Sequence, residues 1–106
     1  MQLSFGEISP GVTGEKIMKD AADWRFRNYS AYMAMKRKAV ERLSEGRRTS
    51  IAELAEEARY TMRLNGYDGA FRVNNTTRAG LARLMIAEEP ALARVMETRP
   101  SKADWA

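Results

Sequence analysis

The sequence predicts an all-α fold: a small bundle of four to five helices, with at most one short strand near residues 70–73. Three observations lead to this expectation. The residues from Glu15 to Glu45 include neither proline nor glycine, the two residues that most disfavour a helix interior. Apolar side chains recur at spacings of three and four in several segments, as they do on one face of a helix. Turn-forming residues such as Gly46 and Asn65-Gly66 separate these segments.

The segment 15–45 carries an apolar stripe but is too long for one straight helix in a small domain. The stripe follows alternating steps of four and three, interrupted by Lys36, and consists of Ala22, Phe26, Tyr29, Met33, Val40 and Leu43. Such a stripe normally faces the core, so we expect these side chains to be buried. Unbroken, the helix would measure ~46 Å at about 1.5 Å per residue. We therefore expect a bend near Asn28-Tyr29-Ser30 and a left-handed glycine cap at Gly46.

Two later helices have recognisable N-termini. Ser50-Ile51-Ala52-Glu53 matches the capping-box pattern. Asn74 to Thr77 offers several possible caps for the next helix, which should run from Asn75 to Glu89 and end at Pro90. That helix is apolar over most of its circumference, so we expect it to be central in the fold. Gly80 within it costs roughly 1 kcal/mol relative to alanine, which a close neighbour would explain.

The chain of 106 residues is expected to form a single domain. An N-terminal arm should cover residues 1–12 and a C-terminal tail residues 101–106. Pro90 suits the first turn of a further helix, with Leu92, Val95 and Met96 on its inner side. No apolar run is long enough to span a membrane, and the N-terminus lacks the basic start and apolar centre of a signal peptide. A cytoplasmic location is therefore expected.

The chain has no cysteine and no histidine, which limits its chemistry. Disulfides, thiolate nucleophiles and cysteine-ligated metals are excluded, and the commonest general base and metal ligand is missing. Asp20 and Asp23 share a helix face but are more typical of solvated acids. The adjacent pairs Glu56-Glu57 and Glu88-Glu89 diverge around their helices. We therefore expect a binding protein without metal or cofactor rather than an enzyme.

The positive charge is concentrated in one stretch of the sequence. The whole chain has 18 lysines and arginines against 14 acids. Between Arg25 and Arg48, eight cations face only Glu41 and Glu45, so this stretch carries a charge of +6 and the rest of the chain −2. Such a concentration is expected of an electrostatic footprint for nucleic acid. The alternative is a solvated helix face that is kept basic for solubility.

A second polar cluster surrounds the start of the helix at Asn75. Its residues lie at the positive end of a helix dipole, which suits a phosphate, although a purely structural role in the helix is the commoner explanation. Together the two regions supply ten residues expected to contact phosphates or base edges. They are Arg37, Lys38, Arg42, Arg47, Arg48, Asn74, Asn75, Thr77, Arg78 and Arg83.

Two functions follow as hypotheses. The first is a small accessory or regulatory protein that binds the phosphate backbone of nucleic acid, with DNA as the expected target. The second is a regulator or inhibitor, for example of a defence system, that docks on an acidic or nucleic-acid-binding site of a host protein. Seven methionines suit an adaptable protein-binding surface if they are exposed. A large exposed apolar patch would favour the second hypothesis, and a homodimer through the long N-terminal helical segment is compatible with both.

The overall composition, which is short, arginine-rich, methionine-rich and free of cysteine and histidine, is similar to that of small accessory proteins of phages and other mobile elements. The likeness covers no defined motif and assigns no residue. The segment Thr49 to Ala58 resembles the first helix of a helix-turn-helix unit, but the following helix begins too late for that compact motif.

Overall fold

Four α-helices and one 3-10 turn account for most of the residues described by the computed structural model, which are 14–67 and 71–98. The elements are α1 Gly14–Arg27, α2 Tyr29–Glu45, α3 Ile51–Leu64, α4 Asn75–Glu88 and a 3-10 turn Pro90–Arg94. The predicted all-α bundle is confirmed. Residues 71–73 belong to no strand, and within the described ranges the only β-type pairing is an isolated bridge between Thr49 and Met96. The expected arm at 1–12 and tail at 101–106 lie outside the described residues.

The long N-terminal helical segment is interrupted at Asn28, within the stretch where the sequence predicts a bend. Asn28 has φ −126° and ψ 45°, which is not helical. Its backbone N–H donates to the Trp24 carbonyl at 2.8 Å, and its side-chain amide donates to the same carbonyl at 3.1 Å. An asparagine that binds the backbone in this way competes with continuation of the helix. α1 therefore ends at Arg27, and α2 begins at Tyr29.

The predicted caps are present at three helix ends. Ser50 Oγ accepts the Glu53 N–H at 3.3 Å, while the Glu53 carboxylate accepts the Thr49 hydroxyl at 2.7 Å. Asn74 Oδ1 accepts the Thr77 N–H at 2.8 Å and begins α4. Gly46 ends α2 with φ 68°, a left-handed conformation that glycine adopts at little cost.

A close contact joins α1 and α4 at Gly80. A Cβ atom at this position would lie 2.7 Å from Ala21 Cβ and 2.9 Å from the Ile17 carbonyl oxygen. The expected close neighbour of Gly80 is therefore α1. Eight residues further along both helices, Arg25 contacts Glu88, so α1 and α4 run in the same direction.

The core lies where α4 and the 3-10 turn meet the other helices. Leu92, Val95 and Met96 are buried there, as the sequence predicts. The largest fully buried side chains are Tyr32, Met35, Leu54, Leu81, Met85 and Leu92.

Residues 46–50 reverse the chain between α2 and α3, and two backbone hydrogen bonds fasten this loop to the segment after the 3-10 turn. The Thr49 N–H donates to the Val95 carbonyl at 2.9 Å, and the Glu97 N–H donates to the Thr49 carbonyl at 2.7 Å. None of the helices in the described ranges is long and apolar enough to cross a membrane.

Replacing Gly80 with alanine should destabilise the protein despite the better helix propensity of alanine. Propensity alone would favour alanine by roughly 1 kcal/mol. The overlap with Ala21 and Ile17 should outweigh this gain and lower the free energy of unfolding by about 1–3 kcal/mol net, as measured by urea denaturation.

Two further variants control this experiment. Ala87→Gly, in the exposed last turn of α4, reports the propensity effect without close packing. Ala21→Gly combined with Gly80→Ala should be less destabilising than the two single changes predict by addition, because one methyl group is removed from the overlap. A stabilising Gly80→Ala would show that the two helices can separate at no cost.

Candidate binding surfaces

The apolar stripe that the sequence places in the core lies largely on the outside of the molecule. Phe26 is 85% exposed, Tyr29 59% and Val40 43%, so the prediction that this stripe is buried is wrong. Met33 and Leu43 are half-buried. The inward face of α2 carries a different set of residues, namely Ala31, Tyr32, Ala34, Met35 and Ala39.

The choice between the two faces of α2 has a physical reason. Ala31, Ala34 and Ala39 are small, so neighbouring elements can approach α2 closely on that side, while Tyr32 and Met35 fill the remaining space. Dense packing of this kind is what stabilises an interior. The larger side chains of the stripe that the sequence predicts to be buried therefore face the solvent.

We define the outer stripe as the exposed Phe26, Tyr29 and Val40 together with Met33, which is half-buried and also packs against the core. A shallow groove of about 310 Å³ lies along its second half and is lined by Met33, Lys36, Arg37, Val40 and Glu41. Arg27 and Arg37 flank the stripe, and neither has an ion-pair partner among the described residues.

Glu88, at the end of α4, gathers three side chains from α1 and α2. Its carboxylate accepts Arg25 Nη1 at 2.5 Å, the Tyr32 hydroxyl at 2.5 Å and Lys36 Nζ at 3.0 Å. Burial alone would raise the pKa of Glu88. The hydrogen bonds from Tyr32 and Lys36 and the charges of Lys36 and Arg25 outweigh it, so the pKa lies below the ordinary glutamate value. Burial and the bond to Glu88 raise the pKa of the Tyr32 hydroxyl.

The basic stretch from Arg25 to Arg48 does not form one continuous face. Successive helix residues are about 100° apart, so Lys36, Arg37 and Lys38 point in three directions. Six of the eight cations in the stretch form ion pairs: Arg25 and Lys36 with Glu88, Lys38 with Glu41, Arg42 with Glu57, Arg47 with Glu45, and Arg48 with Glu97.

Arg42 is a structural residue rather than part of an accessible surface. It is 8% exposed, and its guanidinium binds Glu57 of α3. The hydrogen bond that the guanidinium donates to Glu57 holds the pKa of Arg42 above its ordinary value. Its Nε atom has no hydrogen-bond partner within the described part of the chain. We therefore leave Arg42 out of any proposed phosphate-binding set.

The candidate residues around α4 are also only partly accessible. Asn74 uses its side chain as the helix cap, and Thr77 is buried. Arg83 is half-buried and donates to the Ala79 carbonyl at 3.1 Å. Asn75 and Arg78 remain exposed. Because α4 measures ~20 Å, these residues lie far from the turn that follows its other end, and the ten candidates do not form one cluster.

One exposed arginine that the sequence analysis missed joins two that it selected. The loop with Arg47 and Arg48 is fastened to residues 95–97 through Thr49, which brings it beside Arg94 on the 3-10 turn. We call Arg47, Arg48 and Arg94 the arginine corner. Arg94 lies far along the chain from the basic stretch, so only the backbone pairing at Thr49 could reveal it.

Asp20 and Asp23, the first pair of acids considered as catalytic candidates, have ordinary partners. Lys16 binds Asp20 and Lys19 binds Asp23, both at 3.0 Å, on the exposed side of α1. No group of three or more acids within the described ranges is arranged to hold a metal ion.

No protein-family model matches the chain, and no curated protein or solved structure is significantly similar to it.

The pH dependence of stability should report on Glu88. Because its pKa is lowered on folding, its contribution is present above the ordinary glutamate range, around pH 4.3, and is lost as the pH falls through the lowered value. Glu88→Gln should therefore cost about 1 kcal/mol at pH 7, as measured by urea denaturation, and the difference from wild type should shrink by pH 3.

The neighbouring Glu89→Gln provides the matched control. Glu89 is exposed and has no ion-pair partner among the described residues, so its replacement should change stability by no more than about 0.5 kcal/mol at either pH. A Glu88→Gln penalty that stays constant down to pH 3 would contradict a role for the carboxylate charge.

Proposed function

We propose that this chain is a protein-binding module whose docking surface is the outer stripe. The observation that supports the proposal is the exposure of Phe26, Tyr29 and Val40, together with the groove that Met33 and Val40 share on α2. Single exposed apolar residues are ordinary, whereas a contiguous apolar surface is typical of a site that another protein covers.

The shape of the outer stripe favours a helix as the element that docks on it. Along α2, from Tyr29 to Val40, the stripe extends for ~17 Å at about 1.5 Å per residue. A partner helix laid along such a ridge makes contacts at intervals of three and four residues. Because Arg27 and Arg37 flank the stripe, the surface of the partner that docks on it should also supply carboxylates.

A binding role of this kind fits a regulator or inhibitor that acts by occupying a partner. The chain has no cysteine and no histidine, so its side chains offer few of the usual nucleophiles and general bases. The partner is then either a host protein with an acidic or nucleic-acid-binding site or a second copy of the chain.

Photocross-linking at Met33 tests the docking surface. A benzophenone amino acid at position 33 should give covalent protein adducts in the cells that naturally make the chain, because position 33 lies in the middle of the outer stripe. The same amino acid at Lys19, on the exposed side of α1, should give none. Equal adducts at both positions, or none at position 33, would overturn the proposal.

A second candidate function, nucleic-acid binding, is favoured by the arginine corner. The ion pairs of Arg47 and Arg48 are on the surface, where both arginine side chains are more than 60% exposed. Such pairs contribute little to stability, so phosphate can replace their partners. Arg37, Lys38, Asn75 and Arg78 would be peripheral contacts.

A salt titration of binding to a mixed-sequence DNA duplex tests this second function. Wild-type affinity should fall steeply with salt, and Arg47→Glu/Arg48→Glu should weaken binding and reduce the slope of log K against log salt by about one per lost phosphate contact. Arg94→Glu should weaken binding similarly, and Lys19→Glu should not. Absence of binding at low salt would remove this candidate.

A further inference from the structure

The outer stripe has a symmetry that points to its occupant. Phe26 and Val40 lie seven positions on either side of Met33, and Tyr29 and Arg37 lie four positions on either side. The hydrogen bonds from the Asn28 N–H to the Trp24 carbonyl and from the Tyr32 N–H to the Asn28 carbonyl continue the α-helical repeat across the break at Asn28. When two such segments pair in opposite directions around a two-fold axis at Met33, each member of such a pair faces the other member in the second copy. An interface of this kind must be self-complementary.

The charges beside the stripe satisfy the same condition. Arg27 is exposed without an ion-pair partner among the described residues. The Glu41 side chain is 57% exposed and is 3.8 Å from its partner Lys38. The midpoint of positions 27 and 41 is one residue from Met33, so Arg27 of each copy would lie beside Glu41 of the other.

We propose that a second copy of this chain occupies the outer stripe, forming an antiparallel homodimer with its two-fold axis at Met33. The inference rests on the proposed docking function and names its partner. Phe26 packs on Val40 of the second copy, the two Met33 side chains meet at the axis, and Arg37 lies over Tyr29 of the second copy as a cation–π pair. Every contact away from the axis occurs twice.

The remaining charges are compatible with this arrangement. Lys36 lies near the axis but is already bound by Glu88. The two Arg37 residues would be eight positions apart along the helix axis, ~12 Å, which exceeds the screening length of about 8 Å at physiological salt. A parallel pairing would instead set Arg27 against Arg27 and Arg37 against Arg37. The antiparallel direction is therefore the favoured one.

Cysteine cross-linking tests the position of the axis, since the natural chain has no cysteine. Met33→Cys should oxidise readily to a disulfide-linked species of twice the chain mass of 12.0 kDa. Ser44→Cys is the matched control on the same helix, exposed like the stripe. In the proposed dimer the two copies of position 44 are 22 positions apart along the axis, ~33 Å, so this variant should not cross-link. Equal cross-linking of the two variants, or none, would overturn the proposal.

A charge exchange tests the pairing independently by sedimentation equilibrium. Arg27→Glu alone and Glu41→Arg alone each set like charges against each other twice per dimer, and each should raise the dimer dissociation constant roughly three- to tenfold. The double variant Arg27→Glu/Glu41→Arg should restore it. A wild-type chain that stays monomeric at all concentrations, or a double variant weaker than both single variants, would contradict the dimer.

The photocross-linking experiment separates the two proposals. Adducts at position 33 with twice the chain mass support the second copy as occupant. Adducts of any other mass exclude it but retain the outer stripe as a docking surface, and no adduct excludes both.

Discussion

One carboxylate, that of Glu88, decides both how the helices meet and which charges remain available. It binds Arg25 from α1 and both Tyr32 and Lys36 from α2, so α4 is held to both halves of the long N-terminal helical segment. Without this acceptor, the two cations would repel each other and the Tyr32 hydroxyl would be buried without a partner, which is costly. The same bonds remove Arg25 and Lys36 from the surface charge that the basic stretch suggests.

The exposure of large apolar side chains on α2 follows from the way its other face packs. Close contact with its neighbours requires small residues, and α2 supplies alanines on the inward face. The bulkier residues then have no place in the core. The surface that we propose for binding is thus one part of the apolar sequence that the interior does not use, and Tyr60, Leu64 and Tyr67 are another. Covering such a surface would add burial that folding leaves incomplete.

Features fixed by short-range chemistry could be predicted from the sequence, and those fixed by distant partners could not. The cap at Ser50, the cap at Asn74, the break at Asn28 and the tight contact at Gly80 all follow from residues within a few positions or from one missing side chain. By contrast, Arg25 and Lys36 find their acid 63 and 52 positions away. Two apolar faces compete on α2, and periodicity alone cannot choose between them, because the choice depends on the surfaces of α3 and the 3-10 turn. The site was therefore less predictable than the fold.

The contact at Gly80 also implies an order in which the chain assembles. The pair α2–α3 is joined by a short loop, so its contacts are local and inexpensive to form. The pair α1–α4 brings together residues about 60 positions apart, and such closure carries a larger entropic cost before any contact compensates for it. Folding should therefore begin in the α2–α3 hairpin and finish when Gly80 of α4 packs against Ala21 of α1. The α2 part of the outer stripe should thus form early, whereas Phe26, which lies on α1, should take its place beside it only when α1 and α4 pack together.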